Sequence, residues 1–244
     1  MRADAFFFWR IILWRREKSP FFSTGELALW GTSLALILIA FFLFDGSGYL
    51  TLAASVLGVT SLIFNAKGNP IGQLLMVIFS ILYGIISYTF SYYGEMITYL
   101  GMTGPMAVYA LIAWLRHPYK GNQAEVTVNR LGRREILWML LCTVAVTGLF
   151  YLILRAFHTA NLIPSTLSVT TSFLAVYLTA RRSAWYAVAY AANDVILIIL
   201  WTLASLVNTA YLSVVVCFVM FLANDLYGFV SWRRMRIRQQ QGIA

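Results

Sequence analysis

The chain is 244 residues long, 61% apolar and only 11% charged, with a mean hydropathy of +0.76. A soluble domain carries about 45–50% apolar and about 25% charged residues, because its surface must meet water. One soluble core of this size cannot hide such an apolar excess, which excludes a cytosolic enzyme, a disordered chain and a secreted disulfide scaffold. The net charge of +9 fits basic residues gathered in cytoplasmic loops of a membrane protein, with no nucleic acid as partner.

The first apolar stretch runs from Ala5 to Leu13, is interrupted by Arg10, and is followed by Arg15, Arg16, Glu17 and Lys18. No small-residue cleavage site follows it, so it predicts an interfacial helix anchored by Phe6, Phe7, Phe8, Trp9 and Trp14 rather than a cleaved leader. A hydrocarbon core of about 30 Å takes about 20 helical residues. Eight runs meet that length: 24–44, 49–66, 71–91, 94–115, 135–157, 162–180, 183–206 and 209–231. Turn formers separate several of them, at Asp45-Gly46-Ser47-Gly48, Lys67-Gly68-Asn69-Pro70, Tyr93-Gly94 and Asn161. Cys142 and Cys217 lie inside apolar runs without metal-ligand spacing and read as small core residues.

With the N-terminus in the cytoplasm and the spans alternating, every one of the 18 Lys and Arg residues except Arg155 falls on the inner side. The positive-inside rule is therefore satisfied by eight spans, both termini in the cytoplasm of a bacterial inner membrane. The longest loop, 116–134, is polar and too short for a folded domain.

Two blocks of three spans look alike. In each, a first span ends in a basic pair or single base (Ala66-Lys67; Ala180-Arg181-Arg182), and a third ends in a Trp followed by Arg (Trp114-Leu115-Arg116; Trp232-Arg233-Arg234). The fold class is an all-α integral membrane protein, two parallel three-helix repeats joined by a linker helix (3+1+3) and preceded by an extra helix. The divisions are 1–48 for the interfacial N-terminus and first helix, 49–116 for the first bundle, and 117–157 for the loop and linker helix. Residues 158–234 form the second bundle and 235–244 a cytoplasmic tail. Parallel repeats of this kind occur in transporters, the sugar-carrying SWEET proteins among them, with the substrate site at mid-membrane between the halves.

Ionisable groups at membrane depth are costly, and few occur here. Asp194 beside Asn193, and Asp225 beside Asn224, place the same pair on two neighbouring spans. Two readings stand side by side: polar glue between helices, or a ligand or ion site. Tyr190 is one turn from Asp194 and Trp185 two turns from Asn193, so each pair shares a face. A carboxylate beside aromatic rings suits a flat cationic solute. Gln73, Phe79 and Tyr83 of the first bundle are the second candidate lining. Trp30, Trp114, Trp138 and Trp232 read as interfacial belt residues, whereas Tyr83 and Tyr190 lie deeper. His117 and His158 sit at opposite faces without a nucleophile or second ligand, and there is no phosphate-binding loop. An enzyme, a metal site and a bound cofactor are not expected.

The run Tyr92-Tyr93-Gly94-Glu95-Met96, then Pro105 and Trp114, resembles the PnuC family of bacterial nicotinamide riboside transporters. So do Lys67-Gly68-Asn69-Pro70-Ile71-Gly72, Ala180-Arg181-Arg182, and the Tyr227-Gly228 to Trp232-Arg233 ending. The resemblance implies a SWEET-like homotrimer that takes up nicotinamide riboside passively, with a cytoplasmic kinase trapping the product. It also implies a pattern of two tryptophans followed by an Asn or Asp. Here Asp194 takes the last place, Tyr190 the second tryptophan's and Ala187 the first's, while Val176 and Tyr99 stand where the family has a glutamine and an asparagine. Another vitamin-like or nucleoside substrate such as thiamine, or a non-transporting scaffold or sensor, are the alternatives.

Overall fold

A computed structural model describes residues 21–89, 92–159 and 161–242. The interfacial helix expected around Phe6 to Trp14 lies outside the described residues. Eight apolar helices cross the molecule. They are α1 (Thr24–Asp45), α2 (Tyr49–Ala66), α3 (Pro70–Thr89), α4 (Tyr93–Leu115), α5 (Arg133–Ala156), α6 (Leu162–Ala180), α7 (Tyr186–Ser205) and α8 (Thr209–Gln241). The last is longer than the run 209–231 suggests: the segment 235–241, expected as a tail, continues the helix. A turn without proline or glycine gives no reason to stop before Gly242, which ends it at φ 70°.

Six helices close a ring. Within each bundle α2 packs on α3 and α3 on α4, then α6 on α7 and α7 on α8. Between bundles α4 meets α6 and α8 meets α2, so the last helix of each half touches the first helix of the other. This is the arrangement of a parallel repeat about an axis along the membrane normal. All described basic residues except Arg155 sit at one end of the ring, hereafter the basic end.

The repeat extends to the outer helices. Glu26 in the first turn of α1 accepts from the Ser23 backbone N–H at 2.7 Å and from Lys67 Nζ at 3.2 Å. Glu135 in the first turn of α5 accepts from the Gly132 backbone N–H at 3.0 Å and pairs with Arg181. Lys67 and Arg181 each follow the last residue of the next helix. Thus α1 stands to the first bundle as the linker α5 stands to the second. Helix α5 packs mainly against α6, with Leu154 reaching Gly94 of α4, and its Cys142 is exposed, not a core residue. Cys217 is buried as expected.

Local chemistry sets the turns and kinks. Pro105 has no N–H, and its ring crowds the carbonyl one turn back. Helix α4 relieves this with a wide turn over Tyr99–Thr103, in which the Gly104 N–H reaches back to the Tyr99 carbonyl. Gly72 brings α3 against α2: a Cβ there would lie 2.2 Å from Asn65 Oδ1 and 2.7 Å from the Asn65 nitrogen. Gly72→Ala must push the helices apart, and the expected loss is about 1–3 kcal/mol. A fall in the detergent melting temperature checks this; an unchanged midpoint would refute the close approach.

Loop 116–134 holds a hairpin that its polar composition alone does not reveal. Strands β1 (Pro118–Tyr119) and β2 (Asn122–Val126) join through Lys120-Gly121, both at positive φ, as a tight hairpin turn requires. The hairpin lies across the basic end. Val126 N–H donates to the Gly68 carbonyl at 3.0 Å, and Asn129 N–H to the Arg182 carbonyl at 2.9 Å. Gln239 near the end of α8 donates to the Val126 carbonyl at 3.0 Å, and Arg238 pairs with Glu125.

Candidate functional site

The ring interior has two layers. In the half away from the basic end, α3, α4, α7 and α8 contribute an aromatic cluster. Phe79 and Tyr83 stack at 5.5 Å, Tyr83 lies 4.4 Å from Tyr99, and Phe218 meets Tyr83 edge-on at 5.7 Å. Trp201 Nε1 donates to the Tyr83 hydroxyl at 2.7 Å, which joins the two bundles inside the ring. The rings leave a cavity of only about 10 Å³, lined by Phe79, Tyr83, Phe218 and residues of α2 and α8. That is room for one water. A nucleoside-sized solute reaches this level only if the rings part.

Glu95 is missed when acids are sought in neighbouring-helix pairs, although it is part of the Gly-Glu run. It is 1% exposed, near Tyr83, Tyr92 and Tyr99. Its carboxyl faces Ser168 of α6, with neither oxygen in a well-formed hydrogen bond. The Ser168 hydroxyl is directed instead at Asn193 Oδ1, 3.4 Å away.

Nearer the basic end lies the acid layer. Asp194 of α7 and Asp225 of α8 are both buried and meet across the helix interface within hydrogen-bond reach. A hydrogen bond between two carboxyl groups needs one proton between them. Tyr190 and Tyr186 lie near Asp225, and Asp194 lies near Tyr99. Asp194, Asp225 and Tyr190 are therefore brought together as the sequence suggests.

The other four polar or aromatic candidates go elsewhere. Asn193 is bound to α6: its Oδ1 accepts from Thr171 at 2.9 Å and Ser172 at 3.0 Å. Asn224 turns outward, donating to Ser33 Oγ of α1 at 2.9 Å. These two asparagines tie α7 to α6 and α8 to α1. Trp185 is 55% exposed and meets the Phe229 ring at a tilt, 5.4 Å between centroids. It is the N-cap of α7 with helical backbone, and eight residues at about 100° each leave it about 80° around the helix from Asn193. Gln73 lies near the start of α3 and donates to Asn65 Oδ1 at 2.8 Å, below the aromatic layer.

The basic end is closed on the ring axis by a matched pair of tryptophans. Trp114 Nε1 donates to the Thr179 carbonyl at 2.9 Å, and Trp232 Nε1 to the Asn65 carbonyl at 2.7 Å. Each thus joins the end of α4 or α8 to the end of α6 or α2 in the other bundle, and the rings sit 5.4 Å apart. Both are fully buried. This corrects their reading as belt residues: their interfacial depth is right, but they face the protein. Trp30 also bonds inward, to Thr60 Oγ1 at 3.2 Å, whereas Trp138 is 65% exposed as a belt residue should be.

A ring of two parallel repeats, with buried acids and aromatic rings at mid-depth, is a transporter's layout. A family model described as nicotinamide mononucleotide transporter matches residues 48–234. The chain belongs to that family. A member from Neisseria mucosa, described as the nicotinamide riboside transporter PnuC, is 28% identical over 228 residues, covering 91% of this chain and 86% of that protein. The crystal structure of the vitamin B3 transporter PnuC has the same fold, with a TM-score of 0.79 and 24% identity over 95% of this chain and 97% of that one. The PnuC resemblance read from the sequence is thereby shown. So is the multi-pass membrane architecture, and the chain is a transporter, not an enzyme.

Proposed function

We propose that the chain carries nicotinamide riboside into the cell across a bacterial inner membrane, by facilitated diffusion through a mid-membrane site that opens to one face at a time. The sign of the buried charge supports this reading. Glu95, Asp194 and Asp225 are buried, and among the described residues no Lys or Arg is. The two substrates named for the family and its relative differ by a phosphate. The riboside is a flat pyridinium cation, attracted by carboxylates and aromatic faces. The mononucleotide adds an anion with no buried base to receive it. The basic end faces the cytoplasm by the positive-inside rule, and the two halves rock about the acid and aromatic layers. The family resemblance adds a homotrimer and a cytoplasmic kinase that makes net uptake one-way.

Uptake of labelled riboside into proteoliposomes without ATP or ion gradients is the test. The expected result is equilibration of the riboside, with the mononucleotide failing to compete at equal concentration. Competition at equal strength would overturn the assignment, and strict dependence on a proton or sodium gradient would overturn the passive mechanism. A thermal-shift panel of riboside, thiamine and riboflavin separates a carrier from a scaffold. A ligand that binds the folded protein raises its stability by RT ln(1 + [L]/Kd).

A further inference from the structure

The two seams between the bundles differ at the end away from the basic cluster. At the α4–α6 seam Gly94 lies against Leu154 and Thr159, so tightly that a Cβ on it would approach Leu154 Cδ2 to 2.7 Å. The matching place at the α2–α8 seam is a cavity of about 270 Å³. This is close to the lower bound of small-molecule sites, about 300 Å³. Polar side chains stand among its lining: Asp45 at the end of α1, Ser47 after it, Thr51 of α2, Asn208 just before α8 and Tyr211 in the first turn of α8. One Asp45 oxygen accepts from the Gly48 N–H at 2.9 Å, which orients the carboxylate without neutralising it. Thr51 and Val214 line both this cavity and the small space beside Phe79 and Tyr83. The two spaces follow one another along a single seam, while the tryptophan pair and hairpin close the other end.

We propose that this cavity is an outer binding site, which captures the cationic nucleoside before it moves along the α2–α8 seam to the aromatic layer. The inference rests on the riboside reading above. Asp45 attracts the pyridinium charge, the Tyr211 ring offers it an aromatic surface, and Ser47, Thr51 and Asn208 provide partners for ribose hydroxyls. The same carboxylate turns away a phosphorylated nucleoside. Among the described residues the matching place at the α4–α6 seam is taken by the Gly94 contact, so the two seams are unequal despite the repeat.

Two measurements on the full-length protein in proteoliposomes test the site. In a Cys142→Ser background the remaining native thiol, Cys217, is buried, so Ser47→Cys gives one reactive thiol at the cavity wall. Saturating nicotinamide riboside is expected to slow its labelling by a cationic methanethiosulfonate several-fold. Asp45→Asn keeps an oxygen for the Gly48 N–H but loses the charge. It is expected to raise the KM for riboside uptake about 3- to 10-fold at low salt with the maximal rate unchanged. The difference should shrink in high salt, where the Debye length is a few ångströms. Absence of uptake by the unmodified protein would sink the riboside reading itself. Normal uptake with unprotected labelling and an unchanged KM in Asp45→Asn would overturn the outer site alone.

Discussion

Replacing both buried aspartates, Asp194→Asn with Asp225→Asn, is expected to lower the affinity for nicotinamide riboside by about 5- to 150-fold, or about 1–3 kcal/mol. The two carboxyls lie within hydrogen-bond reach of each other, and two carboxylates that close repel until one takes a proton, which leaves the pair one negative charge. Either single substitution leaves that charge on the remaining aspartate, with the new amide donating to it. Single variants should therefore lose much less than the double. This pattern separates charge from packing. If the aspartates only tie α7 to α8, the double variant keeps hydrogen-bond partners and binds normally. Titration calorimetry in detergent, with folded protein monitored by size-exclusion chromatography, makes the measurement. Wild-type affinity in the double variant would move the charge requirement to Glu95, and Glu95→Gln is the variant that then loses binding.

Truncating either axial tryptophan is expected to be the most destabilising single change in the chain. Trp114→Ala or Trp232→Ala removes a fully buried side chain and its bond to the other bundle. The expected cost is about 3–5 kcal/mol from the cavity. Trp→Phe at either place keeps most of the packing and loses one hydrogen bond, about 1 kcal/mol. Thermal unfolding in detergent should rank Ala well below Phe, and Phe below the native residue. A loss under about 1 kcal/mol for both alanine variants would contradict the closure of the basic end by this pair. The indole bonds also cross the boundary along which the halves move in the proposed mechanism. Breaking both with the double Trp→Phe variant should raise the reactivity of a cysteine introduced at the basic end of the ring.

The amino-acid sequence by itself determined the eight spans, the gathering of basic residues at one end, the parallel repeat and the family. These follow from composition and period along the chain, which the bilayer reads one helix at a time. The tertiary structure decided which side chains face the interior. Asn224 and Asp225 are adjacent, yet about 100° apart around α8, so one bonds α1 and the other meets Asp194. Trp114 and Trp232 look like belt residues in sequence and prove to be a clasp between the halves. Cys142 looks like a core residue and lies on an outer face. Glu95 gains its place beside Tyr83 and Tyr99 only when α4 packs on α3 and α6. Hydropathy cannot make these distinctions, because lipid and protein interior are equally apolar and a helix face is assigned only by the helices packed against it.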